Sequence, residues 1–183
     1  MSSRFDPHAE AKNWLERRRP FLDKVKSVIL LGAGSGYHIQ EISQATSGQI
    51  IVIDPCLELI ESVKEVHKFD PLRVRFEYIK SARELRASEN IRKAVSSSFV
   101  VLIHPASREG RDRIFKDLQD QLCGRDWGSL TWQWQLQGLG DLEENPRITN
   151  EKLTIYDLEQ AELVQSSEER EVLLIKALRE LVK

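Results

Sequence analysis

The 183-residue chain has only two cysteines, Cys56 and Cys123, far apart and in no metal-like spacing. No disulfide framework is expected from them, and reduced thiols in a cytoplasm are the default. Long apolar runs are missing as well: none approaches the length that crosses a bilayer, so no membrane partner is expected. The opening M-S-S-R-F-D-P lacks the apolar segment of a signal peptide. Charge of one sign is not in excess. Lys and Arg number 27 against 29 Asp and Glu, giving a net charge of -2 and a pI of about 6.1. Nothing in that balance suggests a polyanion-binding protein, and nucleic acid is not an expected partner. There are no internal repeats and no low-complexity stretches. Catalytic signatures are scarce too. No G-x-S-x-G elbow and no P-loop lysine occurs. The four histidines, His8, His38, His67 and His104, form no pair at metal-ligand spacing, so no metal site is expected. No side chain stands out as a general base, and no catalytic residue is assigned.

What the chain does have is concentrated between Ser27 and Glu58. Val28 to Leu31 is a short all-apolar run, as a strand buried on both faces requires. Gly32, Gly34 and Gly36 follow at once. Ile39 and Ile42 then fall at helical spacing, with Gln40, Glu41 and Gln44 between them. Ile50 to Ile53 is a second apolar run, ended by Asp54. Strand, glycine turn, helix, strand and acid make the first half of a nucleotide-binding βαβ unit. The glycines permit a sharp turn and a close ligand approach, and the helix start presents free N–H groups to an anion. Asp54, eighteen residues after Gly36, is positioned to accept hydrogen bonds from a ribose. The spacing is G-x-G-x-G, because position 37 is Tyr. That is closer to the S-adenosylmethionine (SAM) pattern than to the dinucleotide one. Against methyltransferase chemistry, position 30, where the SAM pattern usually carries an acid, is Leu30.

Around this unit the chain reads as alternating helices and strands. Asp6-Pro7 opens a first helix with Ala11, Trp14 and Leu15 as its apolar stripe, and Pro20 breaks it. A short piece from Phe21 to Lys26 leads into the first strand. After Asp54, Leu57, Ile60, Val63 and Val66 or His67 mark a helix, and Phe69-Asp70-Pro71 a turn. Val74, Phe76 and Tyr78 alternate as in a strand nearer the sheet edge. Ser81 caps a helix over Ala82 to Val95 with a break near Ser88. Phe99 to Ile103 is a fourth apolar strand, ended by His104-Pro105, and Arg108 to Leu122 another helix. Leu130, Trp132, Trp134 and Leu136 alternate with Thr131, Gln133, Gln135 and Gln137, predicting one strand or half of a hairpin. Gly138 to Thr149 reads as a loop, Leu153 to Tyr156 as a short strand, and Glu168 to Val182 as a final helix capped by Ser167.

The expected fold is α/β: a Rossmann-like, SAM-methyltransferase-type, parallel doubly wound sheet with an N-terminal helical extension. It is read as one domain over 1–183, with the extension at 1–26, the core at 27–123 and a completing segment at 124–183. Ligands of such sheets bind beyond the carboxyl ends of the strands. The candidate binding residues are therefore Gly32, Gly34, Ser35, Gly36, Tyr37, His38, Asp54, Ser81 and His104. The ligand class is SAM or another nucleotide-like small molecule. A protein partner is expected through the Trp132/Trp134 segment or the C-terminal helix.

Two segments together resemble a known family. S-S-R-F-D-P-H-A-E-A at residues 2–11 and I-L-L-G-A-G-S-G-Y-H-I at residues 29–39 look like the paired motifs of the N-terminal region of motility accessory factor (Maf) proteins. These are the bacterial flagellin glycosyltransferases. I-V-I-D-P and V-V-L-I-H-P also suit the group, and the likeness spans roughly residues 2–110. It implies significance for Asp6, Pro7 and Glu10, then Gly32, Gly34, Gly36, Tyr37 and His38. In that family glycosyl transfer is associated with a later domain, related to 6-hydroxymethylpterin pyrophosphokinases, with a G-A-G-P-S-L motif that this sequence does not contain. A Ser also replaces the usual His at the start of the first motif. The expectation is a Rossmann-like accessory or binding protein linked to flagellin or surface-glycan modification. The alternative is a SAM-dependent methyltransferase.

Overall fold

The computed structural model describes residues 6–104 and 112–138. The chain divides into two compact units, 1–122 and 123–183, close to the expected end of the Rossmann-like core. The expected loop beyond Gly138, the strand at Leu153, the final helix after Ser167 and residues 2–5 of the first motif lie outside the described residues.

The first unit is a four-stranded parallel sheet flanked by helices. Its strands are β1 (Ser27–Leu31), β2 (Gln49–Asp54), β3 (Val74–Tyr78) and β4 (Phe99–Ile103). The order is β3-β2-β1-β4, and every pairing is parallel. β1 is central, which explains its unbroken apolar run: all five residues are buried. β3 is an edge strand, and its alternation reflects one wet face. The register aligns Leu31 with both Ile53 and Ile103, so the chain leaves β1, β2 and β4 at one level.

Helix α1 (Pro7–Glu16) starts as the sequence demands: the Asp6 carboxylate accepts from Ala9 N at 2.9 Å, and Pro occupies the first turn. α2 (Arg19–Leu22) is a single turn that carries Pro20 in its own first positions. α3 (Tyr37–Ala45) follows the glycine turn and α4 (Leu57–Val66) follows β2. Trp14, Leu15, Leu22, Ile39, Ile42 and Val63 pack on Val28, Leu30, Ile50 and Val52, so α1, α3 and α4 share one face of the sheet. Ile29, Leu31, Ile51 and Ile53 alternate to the other face. The expected break at Ser88 separates α5 (Ala82–Ala87) from α6 (Glu89–Val95). Ser88 closes the first and caps the second, its hydroxyl accepting from Ile91 N at 3.3 Å. α7 (Asp112–Leu122) buries Phe115, Leu118 and Leu122 at helical spacing.

In the second unit the expected strand is instead a helix, α8 (Trp127–Leu136). Local capping decides it. Asp126 accepts from Ser129 N at 2.9 Å, and Ser129 Oγ accepts from Asp126 N at 3.2 Å, a reciprocal capping box. Gly138, with φ of +73°, takes the left-handed position that ends such helices. The period-two pattern misled because glutamine and threonine carry no strong helix penalty. On a strand Trp132 and Trp134 would share a face; on α8 they project about 200° apart. Both are half-buried.

Candidate functional site

The glycine turn has the expected backbone. Gly32, Gly34 and Gly36 have φ of 98°, 53° and 86°, where only glycine is at ease. Gly36 is also sterically confined. It caps α3, and a Cβ there would stand 2.6 Å from His67 Nε2. His67, buried where α4 ends, donates from Nε2 to the Ser35 carbonyl at 2.8 Å. Its ring meets Tyr37 edge-on at 5.0 Å, and Tyr37 in turn meets His8 at 4.4 Å. His67 was no candidate in the sequence, where it sat merely at the end of an apolar period. A histidine flanked by a helix end and Phe69 was the only signal.

Asp54 is placed at the end of β2 as expected, and its surroundings give it a structural task. It is fully buried. One carboxylate oxygen accepts from Ala33 N at 3.0 Å and the other from Cys56 N at 2.9 Å. Each oxygen thus ties down a turn: one inside the glycine segment, one leading into α4. A buried carboxylate requires such partners, and backbone N–H groups supply them here. Ser81 is exposed and caps α5, accepting from Glu84 N at 3.3 Å. Ser81 follows β3 and His104 follows β4, on opposite sides of the sheet. About three strand spacings, roughly 14 Å, separate those strands. One ligand touching both has to span the whole width.

The remaining candidates come together elsewhere. Strand order reverses between β1 and β4: the chain moves outward through β2 and β3, then returns to the other side of β1. In open parallel sheets the crevice lies at this reversal. His38, in the first turn of α3, and His104, just after β4, meet here with Nε2 atoms 3.0 Å apart. Each residue is only 2 % exposed. Trp14 of α1 lies edge-on to His38 at 5.1 Å and tilted to His104 at 6.2 Å. The helical extension thus covers the crevice.

Glu10, one turn before Trp14, completes the group. One Glu10 carboxylate oxygen and one ring nitrogen from each histidine lie within 4.8 Å of one another. Arg18 stacks on Trp14 at 4.3 Å and donates from Nη1 to the Trp14 carbonyl at 2.8 Å. Burial, then His104 and then Arg18 push His38 down to about 3. Burial also lowers His104, with the Glu10 charge pulling it the other way. Both rings are therefore neutral near pH 7, and one donates an N–H to the other. His38 Nδ1 and Trp14 Nε1 are buried without a hydrogen-bond partner among the described residues. An open cleft of about 600 Å³ is lined by Glu10, Asn13, Trp14, Arg17, Arg18 and Phe21.

Comparison with protein-family models, with curated proteins and with solved structures finds no match to this chain. The site is therefore read from its own chemistry. Sequence spacing had no means of joining Glu10, His38 and His104, which come from three different elements. Two arrangements result: a glycine turn held by Asp54 and His67, and a buried histidine pair at the strand-order reversal. Among the described residues no helix is long and apolar enough to cross a membrane.

Proposed function

We propose that the chain is a Rossmann-like accessory or binding protein that works with flagellin or other surface-glycan modification. What supports the binding half is the self-held glycine turn. Asp54 and His67 fix its backbone, while Gly34 and Ser35 keep part of their surface exposed to a nucleotide-like ligand. What supports the pathway half is the motif pair at residues 2–11 and 29–39, with its likeness to the Maf N-terminal region. Deleting the gene in its source organism and weighing the flagellin by mass spectrometry tests the pathway half. Unchanged flagellin mass and unchanged surface glycans would refute it.

A second reading, SAM-dependent methyl transfer, has the G-x-G-x-G spacing and the β3-β2-β1-β4 order in its favour. Against it stand Leu30 and the commitment of both Asp54 oxygens to backbone N–H groups. Isothermal titration with SAM and S-adenosylhomocysteine separates the two. Micromolar binding, worth about 8 kcal/mol, selects the methyltransferase reading, and no heat with either retires it.

A further inference from the structure

We propose that Glu10, His38 and His104 form a site for one divalent first-row transition cation of the zinc class, seated where the strand order reverses. This goes beyond the ligand assigned to the glycine turn and uses a different set of atoms. The donor set is two imidazoles and a carboxylate, which leaves at least one coordination position for water or a further ligand. Three separate elements deliver it: α1, the first turn of α3 and the residue after β4.

The distances fit. Imidazole nitrogens bind zinc at about 2.0–2.1 Å. Two such nitrogens stand about 3.0 Å apart when they subtend a right angle at the ion, and about 3.4 Å at the tetrahedral angle. The observed separation is 3.0 Å. A right-angled arrangement needs no movement of the rings, and a tetrahedral one needs a few tenths of an ångström. Glu10 is the adjustable member. It is half-buried on the outer side, in the wall of the open cleft, and its long side chain closes the remaining gap.

Charge agrees with the geometry. Two imidazoles in their neutral form and one carboxylate carry a single negative charge, which suits a divalent cation. A hydrogen-bonded histidine pair alone also gives a 3.0 Å contact, and the titration below separates it from an ion site.

The test uses the full chain, stripped with EDTA and dialysed. Zn²⁺ is titrated in competition with a chromophoric chelator, and Co²⁺ is titrated with visible absorption as the readout. The expected result is one ion per chain, with Co²⁺ bands from nitrogen and oxygen ligands. Those bands are strong if the ion is four-coordinate and weak if it is six-coordinate. Glu10→Gln, His38→Gln and His104→Gln should each weaken Zn²⁺ by about 100-fold or more, since even groups behind the ligands cost 10–100-fold. Circular dichroism melts of the stripped proteins show whether each variant folds. If a histidine variant does not, Glu10→Gln, half-exposed on α1, decides the matter. Absence of stoichiometric binding, binding that survives Glu10→Gln, or a sulfur-to-cobalt band implicating Cys56 or Cys123 would each overturn the proposal.

Discussion

Replacing Asp54 separates a ligand-binding acid from a structural one. An acid whose task is to meet a ribose can be removed from the free protein at little cost in stability. Asp54 is instead fully buried and accepts from Ala33 N and Cys56 N. A hydrogen bond to an ionised group contributes about 1.5–3 kcal/mol, and an abandoned buried donor costs about 1–3 kcal/mol. Part of this is returned because the carboxylate no longer has to be desolvated. Asp54→Ala should therefore lose about 3 kcal/mol, and Asp54→Asn about 2 kcal/mol, since the amide keeps one acceptor and turns an N–H against the other donor. For a chain of this size the first loss lowers Tm by about 6–12 °C. Urea unfolding followed by far-UV circular dichroism, with no ligand present, measures both. Hydrogen exchange should show Ala33 N and Cys56 N losing protection before the strands do. An Asp54→Ala protein whose unfolding free energy stays within about 0.5 kcal/mol of the parent would refute the reasoning and return Asp54 to the ligand.

Two further predictions concern the same half of the molecule. Gly36→Ala should cost about 2–4 kcal/mol: a left-handed φ of 86° carries about 1–2 kcal/mol for any other residue, and the new Cβ pushes on the His67 ring. In a double-mutant cycle with His67→Ala the two losses should fall short of additivity, because the smaller side chain relieves the clash; full additivity would disprove the contact. The second prediction is a pH dependence of the metal-free protein. His38, facing His104, the Glu10 charge of α1 and the Arg18 charge that follows that helix, is held at about 3, and His104 is lowered as well. Below about pH 6.5 the unfolded chain takes up protons that the folded one refuses, so stability is complete above that pH and falls as pH drops toward 3. The urea midpoint should decline from pH 7 to pH 5, less steeply in a His38→Gln protein that folds. A flat profile in the parent would contradict the buried neutral pair.

The sheet was legible because its signals are local. Val28 to Leu31 and Ile50 to Ile53 are apolar on both faces only because helices cover both, and the glycines between them announce the turn. Caps were equally plain: Asp6 and Ser81 do what their positions suggest. The segment after Arg125 was misread because an alternating pattern carries no information about capping, and Asp126 with Ser129 outweighs it. Asp54 was found as a residue and assigned another task, since sequence gives the acid but not the direction of its oxygens. The Glu10, His38 and His104 group was hidden for another reason. It exists only once β4 has returned beside β1, a long-range event that no spacing rule reports.

That return also bears on how the chain is made. β1, β2 and β3 emerge in turn and pair outward, so until β4 arrives one whole side of β1 offers unpaired N–H and C=O groups along a fully apolar strand. Such an edge pairs readily with a neighbouring chain. Helix α1 cannot complete its packing until His104, the residue after β4, is in place. That contact joins segments distant in sequence, and the interval before it leaves the nascent chain exposed to aggregation. Pulse-labelled intermediates should show β2 and β3 protected ahead of β1's outer edge, and variants that weaken β4 should lower soluble yield out of proportion to their effect on equilibrium stability.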